Sequence, residues 1–425
     1  MKVRTRSTKY IVSLFLAAVV MTAIGPALPA QAASANSESV ITWNAITIRT
    51  VITLGSKPAP AAFVYGAYAQ AAVYNAVVAI EGGYQPYKSA LPASPGASVD
   101  AAVATAAHDV LLYYFPSQDN ALNNDYTADL ASIPDGKAKT AGIAVGAAAA
   151  DELIALRQGD GLNVDIGFSM PSPAPGVWEL PADINPMVPW LSQLKPFMLK
   201  SPDQFRPGPP PKLNSWTWVK QFNEIQLYGD RYSEVRSPEQ TEIARFWSSD
   251  AFIQYNLTYQ QIATERGLSA LQTARLMAMG NMVASDAFIG CFDAKYHYLY
   301  WRPAYAIPQG NTDGNARTTA DPDFAPLLGT PPHPEYPSAH NCLTASQAEV
   351  FTKFLGTRRI KVTIPSTVIG VPERHYATAH DLTKEIINAR VWAGIHYRSS
   401  SMAGANLGIK VAQWTLKQYF QPEKH

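Results

Sequence analysis

The amino-acid sequence predicts an all-α protein whose helices are covered by an irregular, proline-rich segment. Alanine-rich stretches with few internal Gly or Pro residues favour closely packed helices. Strand signals are sparse, and residues 360–364 are the best candidate. Hydrophobic residues form 47% of the 425-residue chain, which is enough for a large core. No repeat or clear boundary divides the chain, so we expect one domain over residues 33–425.

The predicted helices are placed by composition and by capping signals. Ser269 and Gln272 fit a capping box that begins a long helix. Ser338 is a natural N-cap for another helix, which should end before Gly356. We expect helices at residues 61–78, 99–114, 137–156, 240–252, 269–291, 338–355, 383–392 and 401–420.

Residues 159–215 form the predicted cover. Prolines cluster at 171–175 and 207–211, which excludes a continuous helix. Trp178 and Trp190 lie among them, and a disordered linker would lack so many aromatic residues. We therefore expect an ordered, irregular segment lying across the helices.

Residues 1–32 have the features of a secretory signal peptide. Four basic residues precede a short apolar run, and small residues follow up to Ala30-Gln31-Ala32. A membrane anchor is the alternative, but the run is short for a span. Removing this segment takes four positive charges and no negative ones from a formal net charge of +1, leaving −3. We expect an exported protein with no integral membrane association after cleavage and no affinity for nucleic acid.

The only cysteines are Cys291 and Cys342, so the chain is not a disulfide scaffold. In an exported protein the two could pair with each other. Two buried, unpaired thiols are the alternative, and the sequence leaves both open.

Lys295 and Arg302 stand seven residues apart in an aromatic-rich stretch. On one helix they would share a face at about 10 Å. Two buried cations need an anion between them, because unpaired buried charge is costly. Surface cations lying over tyrosines are the alternative.

The segment from His333 to His340 leads into the helix that should begin near Ser338. The free N–H groups of its first turn would form an anion site at the positive end of the helix. His340 lies in that turn and could reach the same ligand. An ordinary capped helix is the alternative.

Arg390 and His396 are six residues apart, which puts them on different faces of a regular helix. They can meet one ligand only if the helix ends between them, and Gly394 is a plausible stop. Taken alone, His396 would be a core histidine.

Together the three segments predict a pocket for a tetrahedral oxyanion. Six of the eight histidines fall between His297 and His396. Two of them can serve the axial positions, one bonding the central atom and one handling protons. The equatorial oxygens could be held by Lys295, Arg302, Ser338, the Ala339 N–H and Arg390.

These residues resemble the pattern of the superfamily that joins vanadium-dependent haloperoxidases with type 2 phosphatidic acid phosphatases and bacterial acid phosphatases. That pattern reads K-x6-R-P, then P-S-G-H, then S-R-x5-H-x3-D. Residues 286–295, 332–337 and 209–211 also look like bacterial haloperoxidase-type members. The resemblance covers most of the mature chain and implies an all-helical fold centred on four-helix bundles. The matching residues are Lys295, Arg302, Pro303, Pro337, Ser338, His340, Arg390 and His396.

The resemblance implies a vanadate-dependent haloperoxidase that uses hydrogen peroxide to oxidise halide to hypohalous acid. His396 would bond the vanadium, in its 5+ state, and His340 would be the acid–base residue. Lys295 and Arg302 would also polarise bound peroxide. His333 stands where bromoperoxidase-like members carry histidine, which favours bromide or iodide over chloride; a packing role is the alternative. The oxygens of vanadate would be held by Lys295, Arg302, Ser338, Ala339 and Arg390.

The chain departs from the pattern at three positions. Ser400 replaces an aspartate, which removes an expected acceptor near His396, although Ser400 or a backbone carbonyl could substitute. Ala339 replaces glycine, so it keeps the N–H but adds a methyl group. Ala389 replaces a serine. The first two departures bear on vanadate binding.

A secreted acid phosphatase is the alternative function for the same residues. His396 would then attack phosphorus to form a phosphohistidine, and His340 would protonate the leaving group. A non-catalytic oxyanion-binding protein is a third reading. An organic acceptor could bind besides peroxide and halide, and the cover could mask the interface of a homo-oligomer.

Overall fold

The computed structural model describes residues 37–88 and 90–423, and over these residues the protein is almost entirely helical. They form 13 α-helices and two short β-strands. The all-α prediction is confirmed. The predicted signal peptide, residues 1–32, lies outside the described residues.

The helices and strands are numbered in chain order. They are α1 Glu38–Ile48, α2 Ala59–Glu81, α3 Val99–Tyr114, α4 Asp119–Ser132, α5 Lys137–Arg157, α6 Trp216–Tyr228, α7 Pro238–Phe246, α8 Ala251–Glu265, α9 Ala270–Tyr298, α10 Pro303–Ala306, α11 Ala339–Leu355, β1 Val362–Ile364, β2 Arg374–Tyr376, α12 Ala379–Trp392 and α13 Arg398–Gln418.

Helix α2 lies at the centre of the core and packs against α3, α5 and α9. Its many alanines leave room for these neighbours, and most of its residues are buried. By length and composition α2 could cross a membrane, but 89% of its most apolar window is buried inside the protein, as in a core helix. The helix therefore belongs to the interior of the fold.

The predictions for residues 240–252 and 360–364 differ from the structure. The predicted helix over residues 240–252 is two helices, because α7 ends at Phe246 and the Asp250 side chain accepts a hydrogen bond from the Ile253 N–H to begin α8. The predicted strand forms as β1, and it pairs antiparallel with β2, in which no strand was expected.

Helix α9 begins with the predicted capping box, in which Ser269 and Gln272 satisfy each other's backbone N–H groups. It ends later than predicted, at Tyr298 instead of near Cys291. Leu299 then adopts a left-handed conformation (φ 47°), which turns the chain out of the helix. The extra turns carry Lys295 into the protein interior.

The predicted cover contains no α-helix between residues 159 and 215, as expected. Asp286 of α9 fastens it to the core. The buried Asp286 carboxylate accepts hydrogen bonds from the N–H groups of Phe197, Met198 and Leu199 at 2.7, 2.8 and 3.0 Å. Burial raises the pKa of this carboxyl to about 6, although the three amide donors lower it.

Helices α11 and α13 approach each other closely at two glycines. A Cβ on Gly404 would lie 2.4 Å from the Ser338 carbonyl oxygen, and one on Gly408 would lie 2.0 Å from that of Cys342. Side chains there would push the two backbones apart. The Ser338 N–H also donates to the Ser400 carbonyl at 3.1 Å, so the start of α11 is held against the start of α13.

Candidate oxyanion site

Lys295 and Arg302 come from the two sides of the turn that ends α9. Lys295 lies in the last turn of the helix, whereas Arg302 follows the Leu299 reversal and stands before α10. They therefore do not share a helix face. Both are fully buried, and both contact the carbonyl oxygen of Pro334. The Lys295 Nζ donates to the carbonyl oxygens of Pro334 and Glu335 at 2.7 and 3.1 Å.

Arg302 connects the second predicted segment to the third. Its guanidinium donates to the carbonyl oxygens of His333 and Ile395 at 3.0 and 2.8 Å. It also lies 2.9 Å from the Nδ1 of His333 and 3.3 Å from the Nε2 of His396. Because a guanidinium has no acceptor, both ring nitrogens accept from it.

Ser338 stands at the start of α11 as predicted, but its side chain does not cap the helix. The Ser338 Oγ is buried and has no hydrogen-bond partner. The first-turn N–H groups that a serine cap would satisfy are thus left for another acceptor. Ala339 and His340 occupy this turn.

Arg390 lies in the last turn of α12, and the helix ends two residues later at Trp392. Gly394 then reverses the chain at φ 76°, a conformation that favours glycine. The predicted stop between Arg390 and His396 is therefore confirmed. The Arg390 Nη1 donates to the Trp247 carbonyl at 2.7 Å, and its Nε is buried without a partner.

The site carries excess positive charge. Among residues 37–88 and 90–423, no carboxylate forms an ion pair with Lys295, Arg302 or Arg390. Burial lowers the pKa of Lys295 to about 8, of Arg302 to about 10 and of Arg390 to about 9, and repulsion from Arg302 adds to the effect on the other two. A bound anion would remove this penalty.

The three pocket histidines are neutral at pH 7. Burial lowers the pKa of His333, His340 and His396 well below the usual value, and the nearby cations lower it further. A neutral imidazole can accept a proton or offer a lone pair to a metal.

These donors fit a tetrahedral oxyanion. The excess charge, the unpartnered Ser338 Oγ and Arg390 Nε, and the uncapped start of α11 all call for an acceptor that the described chain does not provide. Such an anion could be held by Lys295, Arg302, Arg390, Ser338, the Ala339 N–H and the Nε2 of His396.

Two cavities meet at His340, which is half-buried. One, of about 170 Å³, is apolar, and His333 and Ala339 lie in its wall. The other, of about 320 Å³, is lined by Arg390, Asp250 and neighbouring residues.

Glu335 is a site residue that the sequence reasoning did not assign. It is fully buried, and its Oε1 accepts from the Nδ1 of His396 at 3.0 Å and from the Tyr397 N–H at 2.9 Å. Neither expected substitute for the missing aspartate contacts this nitrogen, since the Ser400 Oγ donates to the Glu335 carbonyl at 3.3 Å. Burial raises the pKa of the Glu335 carboxyl to about 7, although Arg302 and Lys295 lower it. A charged residue between two prolines of a buried motif was the signal that could have identified it.

Cys291 and Cys342 are both free and buried, so the structure favours unpaired thiols. The Cys291 Sγ donates to the Pro337 carbonyl at 3.7 Å. Burial, and then a hydrogen bond with Cys291, raise the pKa of the Cys342 thiol well above its usual value, which disfavours the reactive thiolate.

Titration of the denatured protein with a thiol reagent, without reductant, should therefore give two thiols per chain. Cys291→Ser should give one. A value of zero for the unmodified protein would show that the two cysteines pair.

Comparisons with known proteins agree with this fold. Residues 275–422 match the family model of the VCPO second helical-bundle domain. A bacterial vanadium-dependent iodoperoxidase superposes with a TM-score of 0.76 at 21% identity, covering 93% of this chain and 99% of that one. A holo-type bacterial vanadium-dependent chloroperoxidase superposes with a TM-score of 0.68 at 16% identity, covering 84% and 90%. An apo-type structure of such a chloroperoxidase gives 0.68 at 17% identity, covering 84% and 92%.

A search of curated protein sequences returns no match. At identities of 16–21% the structural likeness shows the fold. The family match adds the segment that contains Lys295, Ser338 and His396. Residues 275–422 therefore match the VCPO second helical-bundle domain, and the chain has a helical fold similar to that of the bacterial vanadium-dependent peroxidases.

Proposed function

We propose that the protein is a vanadate-dependent haloperoxidase, which converts hydrogen peroxide, a halide ion and a proton into hypohalous acid and water. The observation that supports this most is a set of three buried cations, none ion-paired with a carboxylate among residues 37–88 and 90–423, beside an imidazole whose Nε2 lone pair faces Arg302. An oxyanion bonded through its central atom to the His396 Nε2 would satisfy both. The structurally similar proteins are vanadium-dependent peroxidases, which favours vanadate as that oxyanion.

Each residue of the site would have a distinct part. His396 would hold vanadium through Nε2, and the cations, the Ser338 hydroxyl and the Ala339 N–H would hold the oxygens. Bound vanadate, in the 5+ state, supplies a Lewis acid that makes peroxide susceptible to attack by halide. Lys295 and Arg302 would place positive charge where the reacting oxygen becomes negative.

His340 would be the general base and acid. It is neutral at pH 7, so it can accept a proton from incoming peroxide. It lines both cavities, through which small reactants could reach the site. The apolar wall of the smaller cavity would keep bulk water from the reacting groups.

We propose bromide or iodide as the preferred halide. His333 lies in the apolar cavity with His340, and its Nδ1 accepts from Arg302. The family resemblance associates a histidine here with bromoperoxidase-like members, and one similar structure is an iodoperoxidase. His333 would thus connect the apolar cavity, where halide would bind, to Arg302 through a hydrogen bond.

The direct test is reconstitution with orthovanadate, followed by addition of peroxide and halide. We expect a phenolic dye to be brominated, iodide and bromide to be oxidised faster than chloride, and dialysed protein to give no activity until vanadate is added. Hydrolysis of p-nitrophenyl phosphate without bromination would instead identify a phosphatase, with vanadate as its inhibitor. If neither assay shows activity and no vanadate is retained, only an oxyanion-binding or structural role would remain.

A further inference from the structure

Glu335 holds the imidazole of His396 at Nδ1, whereas Arg302 contacts the other ring nitrogen, Nε2. Its carboxylate is fully buried and lies 3.0 Å from the His396 Nδ1. The same oxygen accepts the N–H of Tyr397, the next residue along the chain. One oxygen atom thus fixes both the ring and the backbone that carries it.

The hydrogen bonds of His396 specify a single tautomer. Arg302 Nη1 lies 3.3 Å from Nε2, and a guanidinium can only donate. Nε2 therefore carries the lone pair, and in a neutral ring the proton lies on Nδ1, facing Glu335. A ligand in the pocket that replaces the Arg302 contact can therefore bind Nε2.

The Glu335 backbone is itself held by the elements that form the site. Its N–H donates to the Tyr300 carbonyl at 3.0 Å. Its carbonyl oxygen accepts from the Lys295 Nζ at 3.1 Å and from the Ser400 Oγ at 3.3 Å. The carboxylate is therefore presented to His396 from a fixed backbone.

We propose that Glu335 is the positioning residue for His396, setting its tautomer and ring orientation so that Nε2 can bind the oxyanion. Glu335 thereby takes the part that the family pattern suggests for an aspartate at Ser400, but from a different segment of the chain. The inference rests on the proposed function for the identity of the ligand. The tautomer does not depend on it.

The first test needs no ligand and no variant of Glu335. In protein labelled with ¹⁵N-histidine, the ring signals of His396, assigned by their loss in His396→Ala, should show the proton on Nδ1. A proton on Nε2 would overturn the proposal. This outcome is independent of whether vanadate is the physiological ligand.

The second test compares two substitutions of similar size. Glu335→Met removes the acceptor of the Nδ1 proton and leaves only the longer, 3.3 Å contact from Arg302 to favour this tautomer. We therefore expect the tautomer to be partly lost and orthovanadate to bind about 10- to 100-fold more weakly in equilibrium dialysis. Glu335→Gln retains a carbonyl oxygen and should recover the tautomer and part of the affinity. A residue needed only for packing would not give this order.

The matched control is Glu349→Met, which changes a carboxylate that pairs with Arg358 away from the pocket. It should leave the ring signals and the affinity for vanadate unchanged. Equal affinity in Glu335→Met and the unmodified protein would refute the positioning role. If the unmodified protein binds no vanadate while His396 shows the Nδ1 proton, the proposed function fails and the positioning role stands.

Discussion

Replacing His396 by alanine is expected to abolish vanadate retention. The substitution removes the imidazole whose Nε2 carries a lone pair facing Arg302 and whose Nδ1 is oriented by the Glu335 carboxylate. Loss of an outer contact to a metal ligand already costs about 10- to 100-fold in affinity, so loss of the ligand should cost more than about 100-fold. Metal analysis after dialysis measures this directly.

The matched control is His375→Ala, which removes a histidine whose side chain is 70% exposed on β2. It should retain vanadate like the unmodified protein. Because His396→Ala leaves the buried Glu335 without its ring partner, a lower melting temperature is also expected. Vanadate retention by a folded His396→Ala protein would show that the ligand assignment is wrong.

Replacing His340 by alanine is expected to spare vanadate retention and remove turnover. His340 lines both cavities. Within residues 37–88 and 90–423, no side-chain hydrogen bond joins it to Lys295, Arg302 or Arg390. Loss of a general base costs about 10²- to 10⁴-fold in kcat. Because burial and the cations lower the pKa of His340 below 6.5, the neutral form is present at pH 7 and is lost only in more acidic solution.

The rate of halide oxidation in the unmodified protein should therefore be maintained through pH 6.5 and fall only in more acidic solution, and His340→Ala should lack this dependence. His297→Ala, which changes an exposed histidine of α9, is the control and should keep full activity. Loss of vanadate together with turnover in His340→Ala would instead make His340 part of the binding site.

The sequence predicted those features that depend on local rules. Ser338 and Gly356 mark the ends of α11, and Gly394 separates Arg390 from His396, because start and stop signals act over a few residues. The break between α7 and α8 was missed because residues 240–252 are compatible with helix throughout. The pairing of β1 with β2 is a tertiary contact, which local sequence signals do not predict.

The role of Glu335 could not be predicted from local sequence patterns. Its partner His396 lies 61 residues away, and only the folded chain brings the two together. The motif spacing places the expected acceptor at Ser400, where the family pattern has an aspartate. The structure instead supplies a carboxylate from the segment before α11, which spacing within the third motif could not reveal.

The three buried cations also have a consequence for folding thermodynamics. Lys295, Arg302 and Arg390 repel one another in the native state and are separated when the chain unfolds. An oxyanion that binds only the native pocket acts as a noncovalent cross-link among α9, α11 and α12. At a concentration of 100 times its Kd, such a ligand adds about 2.7 kcal/mol to the free energy of unfolding. A dissolved oxyanion would thus supply the negative charge that the pocket lacks. The free energy of unfolding would then increase with oxyanion concentration.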